Sequence, residues 1–523
     1  MSGQDVLVGI DAGTSMIKAV AFAIDGRMLA SRSRQNHYVT RADGAVEQDM
    51  ERTLNDTVAV LAELVSSEPD IAARIVGLAV TGQGDGTWLA DADGNPVQDA
   101  WLWLDSRSAD EARRIASSAA FDHVYERTGT GITACQMSAQ MSWMQKHDRS
   151  CLSAAATAFH CKDWLYYRLT GDRAADPSEA VFTFGSYATR DYDESVIDAL
   201  GLGSQRHLLP PIIDGMKVSG ALGTTVARRI GLPAGLPVTL GYIDVVCSAL
   251  GVGLYGADQD VGVSILGSTG IHLRRVSEAA DIVLNASRSG FTICIPDGGL
   301  VQVQSNMAAT LNIDWLLDLV DDATRFAGHA ADRDTLLSRL DADVAVAPAG
   351  RVIYHPYLSS AGERGPFIDA SARASFVGLD STCDFSTLAR GVYEGLAWAA
   401  RDCFDAMGRR PAEIRLSGGA ARSTTLSSII ASVLGSTVRS IDRAESGAAG
   451  ACMIAACGQG IHASLEICSR EWVDTRLGEP IEPDTALNSL YEKLAPAYPL
   501  TRELFTPIWH ALAQRRHRGE STS

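Results

Sequence analysis

A chain of 523 residues carries enough length for two to four domains with sizeable cores. Its composition is that of an ordinary globular protein, with 46% hydrophobic and 21% charged residues and a mean hydropathy of +0.03. A net charge of -18 and a pI near 5.0 argue against a nucleic-acid binder and against docking on anionic lipid.

Residues 6 to 38 read as three strands in a meander, with Asp25-Gly26 as the second turn. The first connection, within LVGIDAGTSMIK (7–18), is the informative one. A turn of Gly13, Thr14 and Ser15 directs backbone N–H groups and short hydroxyls into one concavity, which attracts phosphate oxygens. Asp11 at the strand end can hold the Mg²⁺ that accompanies such phosphates. A plain β-hairpin with a glycine turn has the same pattern.

The pattern recurs. Residues 50 to 65 have helical spacing, 75 to 81 form a buried strand, and Ser138 to Lys146 and Val245 to Leu250 read as helices. VGVSILGSTGIHL (261–273) then repeats the strand–turn–strand device around Gly267, Ser268 and Thr269. Two such hairpins, one early in each half, suggest related domains gripping one nucleotide, with a boundary near Gly253 to Ala257 that divides the chain into 1–254 and 255–523. A P-loop is excluded because no Lys is followed by Ser or Thr. A strand at 413–417 runs into Gly418-Gly419, and a small-residue helix spans Ser446 to Gly458. The alternation of strands and helices predicts an α/β fold.

Ten cysteines without metal-type spacing read as buried free thiols of a reducing compartment. With Asp5 entering a strand directly and no apolar run of membrane length, the expected location is cytoplasmic. His37, His160 and His272 are isolated and read as structural histidines.

Taken together, IDAGTSMIKA (10–19), TGQGDGTW (81–88), WLWLDSR (101–107), KDWLYYRLTG (162–171), GYIDVVCSALGVG (241–253), GSTG (267–270), YLSSAGERGPFIDASARASFVGL (357–379) and LSGGAARS (416–423) resemble the FGGY carbohydrate kinases of the actin-like ATPase superfamily. TGQGDGTWL, AWLWLDSRS and DPSEAVFTFG look most like the erythritol-phosphorylating branch. The resemblance implies two ribonuclease-H-like domains with ATP and Mg²⁺ in the cleft between them and a small polyol or sugar deeper in the first domain. Asp244 then occupies the family's general-base position, although an Asp there also suits a helix N-cap. Thr14 and Ser15 would touch the transferred phosphate, and Gly267, Ser268 and Thr269 would close from the other domain. Gly418 and Gly419 would approach the adenosine, or make a simple strand-to-helix turn; Ser423 stands where relatives often carry an Asn near the base.

For the acceptor, the resemblance points to Gln83, Asp85 and Trp103, the last being either an aromatic wall or core packing. Gly84 before a short acid is expected to leave space, and Cys135 replaces a tyrosine hydroxyl of glycerol-type enzymes. Asp105 suits a salt bridge with Arg107, and Glu363-Arg364 a domain-interface ion pair, a turn or a catalytic pair. The implied reaction is phosphorylation of erythritol, with D-xylulose, L-ribulose or glycerol as alternative acceptors. A non-catalytic sugar-sensing ATPase of the same fold is the other alternative. No macromolecular partner is indicated; a homodimer is compatible with the sequence.

Overall fold

The computed structural model describes residues 5–256, 260–329 and 332–519, so Ala257 of the expected boundary lies outside the described residues. The first half builds one six-stranded sheet from β1 (Val6–Ala12), β2 (Met16–Ala23), β3 (Met28–Gln35), β4 (Ile75–Gly82), β5 (Gly220–Ala221) and β6 (Pro237–Leu240). Their order is β5-β6-β4-β1-β2-β3. The antiparallel β1–β2–β3 meander comes from two tight turns, whereas β4 lies parallel to β1, as a helical crossover requires.

The second half repeats this plan. β7 (Val261–Leu266), β8 (Gly270–Val276), β9 (Phe291–Cys294), β10 (Leu300–Asn306), β11 (Glu413–Ser417) and β12 (Thr437–Ser440) run in the order β9-β10-β8-β7-β11-β12. β7 and β8 are antiparallel, and β11 joins β7 in parallel. Each half therefore places its turn at the end of a central hairpin, and each turn follows a strand whose other neighbour is parallel. The sequence-based expectation of paired α/β domains of the actin-like ATPase type holds.

Seven helices matter for the site: α1 (Met50–Ser67), α2 (Cys161–Thr170), α3 (Pro177–Phe184), α4 (Asp244–Gly251), α5 (Phe385–Ala406), α6 (Thr424–Leu434) and α7 (Ser446–Gly458). α1 and α5 are amphipathic and cover one face of each sheet, burying Leu54, Val58 and Leu61 in the first and Val392, Leu396 and Phe404 in the second. α7 is different: every residue from Gly447 to Ala456 is buried. Although it follows the second sheet in sequence, α7 packs against β1, β4 and α4 of the first half.

Small residues make that crossing feasible. A Cβ on Gly450 would sit 1.8 Å from the Cys247 carbonyl oxygen, one on Gly251 2.2 Å from Ser446 O, and one on Gly9 2.4 Å from Ala448 O. These partners are backbone atoms and cannot rotate away. Gly450→Val is therefore expected to cost at least the about 1–3 kcal/mol typical of overpacking, and to lower activity by displacing α4. Chemical denaturation would measure the loss; an unchanged midpoint would show that α4 and α7 separate freely.

Candidate active site

The two hairpin turns face one cavity of about 240 Å³ between the halves. Thr14 lines it from the first turn and Thr269 from the second, with Asp85, Trp103 and Asp244 on the first-half side and Ser305 and Arg364 opposite. Phe182, Ile243, Ile271, Phe291, Ile293 and Val303 complete an otherwise apolar wall.

Thr14 is tied into a hydrogen-bond chain. The Trp103 indole Nε1 donates to Thr14 Oγ1 at 2.8 Å, and Thr14 donates onward to Gln83 Oε1 at 3.1 Å. Gln83 Nε2 donates to Gln48 Oε1 at 2.9 Å, and Gln48 Nε2 to Thr53 Oγ1 at 2.7 Å. Trp103 thus lines the cavity and braces the first phosphate-type turn. Gln83, expected at the acceptor, stands behind the wall instead, 2% exposed with both ends of its amide engaged. Ser15 and Ser268 are exposed at the tips of their turns and do not line the cavity.

Asp85 owes its position to its neighbours. It adopts a left-handed backbone conformation (φ 56°) between Gly84 and Gly86. A Cβ at Gly86 would come within 2.4 Å of Trp101 O, so a side chain there would push the loop off its neighbour. Gly84 lines the cavity, but the position of its own missing side chain is occupied. A Cβ there would lie 2.1 Å from Ile243 Cδ1, so Ile243 has filled the volume the missing side chain left. Asp85 Oδ2 accepts the Cys135 thiol at 3.2 Å, while Oδ1 is buried without a hydrogen-bond partner among the described residues. Burial raises its pKa above the usual carboxylate range.

Behind Asp85 lies a buried charge cluster. Glu179 Oε1 accepts the Asp85 backbone N–H at 2.8 Å. Lys162 Nζ meets Glu179 Oε2 at 2.5 Å, Asp176 Oδ1 at 2.6 Å and Asp163 Oδ1 at 3.1 Å. The cluster draws its groups from adjoining helices: Lys162 and Asp163 from the first turn of α2, Asp176 and Glu179 from the cap and first turn of α3. Asp176 also accepts the Ser178 N–H at 2.7 Å, as a helix N-cap does. His160, read as an isolated structural histidine, belongs here too, 3.4 Å from Asp163 and 3.9 Å from Glu179. By contrast His272 is a satisfied core histidine, held between Ser264 Oγ at 2.9 Å and Asn306 Oδ1 at 3.1 Å. Burial pushes the Glu179 carboxyl to about 7, against the pull of His160 and Lys162.

Asp244 is the first residue of α4, with Ile243 as the cap, so the N-cap alternative does not describe it. Burial raises its pKa to about 8, reinforced by like charge on Asp11, Glu179 and Asp85. Asp11, at the end of β1, is raised to about 6 by burial, with Lys18 opposing. Lys18 in turn pairs with Glu445 at 3.0 Å, joining the first hairpin to the entry of α7. Asp11 also faces Gly447, where a Cβ would lie 2.5 Å from its Oδ2. Among the described residues no three His, Cys, Asp or Glu side chains gather into a metal cage. A single half-buried carboxylate beside a phosphate-type turn instead fits a Mg²⁺ that keeps its waters and arrives with phosphates.

The second turn is shaped by its surroundings. Gly267 O accepts from Thr310 N at 2.9 Å and Thr310 Oγ1 at 2.8 Å, and Gly418 packs against the turn. With φ 88° and a hypothetical Cβ 2.5 Å from Leu266 O, position 418 requires glycine. Gly418 and Gly419 are exposed, and Gly419 has open space around it. The Ser423 hydroxyl caps α6, accepting Leu426 N at 2.9 Å, and donates to Asp341. Its hydroxyl proton is therefore already committed. Asp105 and Arg107 form the expected ion pair at 2.6 Å. Glu363 and Arg364 do not pair through their side chains: Glu363 accepts backbone N–H groups, and Arg364 enters the cavity.

Residues 6–251 match the N-terminal domain and residues 262–458 the C-terminal domain of the FGGY family of carbohydrate kinases. The chain belongs to this family. Kinases of the FGGY family take ATP as phosphate donor and a small sugar or polyol as acceptor. Over 510 residues the chain is 47% identical to the erythritol kinase of Brucella abortus (strain 2308), covering 97% of this chain and 98% of that protein. It is 26% identical over 471 residues to the xylulose kinase of Bacillus subtilis (strain 168), covering 89% and 91% respectively. Among solved structures, the xylulose kinase from Rhodospirillum rubrum superposes with a TM-score of 0.85 at 26% identity, covering 97% of this chain and all of that one. Among the described residues no helix is long and apolar enough to cross a membrane.

Proposed function

We propose that this FGGY kinase phosphorylates erythritol, with Asp244 as general base. The observation that carries the acceptor is the 47% identity, end to end, to a protein named erythritol kinase. The cavity agrees in scale: about 240 Å³ lies just below the roughly 300–1,000 Å³ of drug-sized pockets and suits a short polyol. Asp244 accepts the proton of the attacking hydroxyl as its oxygen forms the bond to the γ-phosphorus and the bond to ADP breaks. Thr269 and the backbone of the 13–15 and 267–269 turns hold the phosphates, and Gly418 and Gly419 leave room for the nucleoside. Asp11 holds Mg²⁺, which neutralises charge on the phosphates when bound. The apolar half of the cavity excludes water, which would otherwise accept the phosphoryl group.

ADP release measured over erythritol, D-threitol, glycerol, D-xylulose and L-ribulose tests the reading. Erythritol is expected to give the highest kcat/KM. A tenfold advantage of another acceptor, about 1.4 kcal/mol, would reassign the substrate. Absence of turnover on all five would overturn the catalytic reading in favour of a sensor.

A further inference from the structure

Among the described residues Arg364 is the one cation lining the cavity, and phosphoryl transfer as described above makes no use of it. It is firmly mounted. Glu363 Oε1 accepts the N–H groups of Met307 and Arg364, both at 2.9 Å, and Asn306 Nδ2 donates to Gly365 O at 2.8 Å. These bonds clasp the loop onto the end of β10. Arg364 Nε donates to Ser305 Oγ at 3.2 Å, which fixes the stem of a half-buried side chain. Its two terminal nitrogens carry no hydrogen bond or ion pair among the described residues.

Across the same cavity stands Asp85. Its Oδ2 is taken by Cys135, but Oδ1 is a buried acceptor without a donor among the described residues. A buried carboxylate oxygen left unpaired is costly, and a ligand hydroxyl would relieve it. The guanidinium is near enough to pull the Asp85 pKa down, yet the two groups are not within the 4.0 Å of an ion pair. A hydroxyl group matches this gap, because it donates one proton and accepts through its lone pairs.

We propose that Arg364 and Asp85 form an acceptor clamp across the two halves. One polyol hydroxyl donates to Asp85 Oδ1 and accepts from the Arg364 guanidinium, while another hydroxyl lies at Asp244. The acceptor itself then bridges the cleft, and the distance from the clamp to the base measures its chain length. Glycerol, one carbon shorter than erythritol, must give up one end. The clamp rests on the kinase reading above and extends it to a residue of the second half.

Steady-state kinetics of full-length Arg364→Gln and Arg364→Lys, with ATP and acceptor varied separately, provide the test. Arg364→Gln is expected to raise the KM for erythritol about 10- to 100-fold, the value of a hydrogen bond to a charged group, with the KM for ATP within about twofold. Arg364→Lys should recover part of the loss, and the preference for erythritol over glycerol should fall about tenfold or more in Arg364→Gln. In a cycle with Asp85→Asn, the double variant should lose less than the two single losses combined, because both groups hold one hydroxyl. Equal rises in both KM values would mark Arg364 as a general closing contact and overturn the clamp. So would an acceptor KM changed by less than about threefold in Arg364→Gln and Arg364→Lys. If the wild type prefers another acceptor, the erythritol reading falls, and the clamp stands or falls on the KM of that acceptor in the same variants.

Discussion

Asp244→Asn is expected to lower kcat by about 10²–10⁴-fold, the range for a positioned general base, with ATP affinity preserved. Near-native turnover would remove Asp244 from the reaction. The pH profile offers a second check. A base acts only when ionised, and the Asp244 carboxyl lies at about 8 with Asp11 at about 6. The kcat/KM of the wild type should therefore climb from pH 6 through about pH 8 and level only about one unit above that. The two carboxyls repel each other and titrate as a pair, so the limb reports their joint behaviour.

The same carboxyl weakens the fold. Its folded pKa is raised above the model value of 3.8, so the native state holds a proton that the unfolded chain releases. Stability from this group is greatest below the unfolded value and is lost as pH rises through about 8. Asp244→Asn abolishes that loss. The Tm of the variant, relative to wild type, should accordingly increase from pH 5 to pH 8 while activity collapses. A Tm difference independent of pH would show that Asp244 is ionised in the fold at no cost.

Lys162→Met should destabilise the protein by about 3–5 kcal/mol, the cost of breaking a buried ion pair from one side. Lys162, Asp176 and Glu179 are all completely buried, and Asp163 is nearly so. Loss of the ammonium leaves three carboxyls that must be desolvated without their counterion. Each is then driven towards its neutral form, so the deficit should be largest at neutral pH and shrink as pH falls towards 5. Acceptor binding should also weaken, since Glu179 accepts the backbone N–H of Asp85 and fixes that loop. Denaturant titration at two pH values measures the stability loss and its pH dependence, and the KM for the acceptor measures the weakened binding. A loss below about 1 kcal/mol would mean that water enters the cluster and solvates it.

Local chemistry made much of the molecule readable beforehand. The glycine turns at 13–15 and 267–269 lie between alternating or apolar runs, so both hairpins and their relation are encoded within a dozen residues each. The helix at Ser446–Gly458 has the limits expected from its small residues. Asp244 was marked by position within GYIDVV, and the cavity brings it together with Thr14, Thr269, Asp85 and Trp103. Side-chain destinations were less legible. Gln83 neighbours the cavity-lining Gly84 and Asp85 in sequence but turns its amide inward to Gln48 and Thr14. Gly84 does border the cavity, but Ile243, 159 positions later in the chain, fills the place of its missing side chain. Nothing local in KDW and DPSE shows that one ammonium is shared by three acids, because Lys162 and Glu179 belong to different helices.

The sequence by itself therefore determined the duplicated α/β plan, the two phosphate-type turns and the family to which the chain belongs. The plan and the turns depend on short-range turn chemistry and on strand and helix periodicity; the family rests on the ordered motifs that match its two domains. Tertiary structure decided which groups face the cavity between the halves. Arg364 reaches it from the second half, Glu179 supports Asp85 from behind, and α7 crosses beneath the first sheet to meet α4. Each of those contacts joins residues far apart in the chain. Their geometry is set by the packing of two domains against each other, and no local pattern records it.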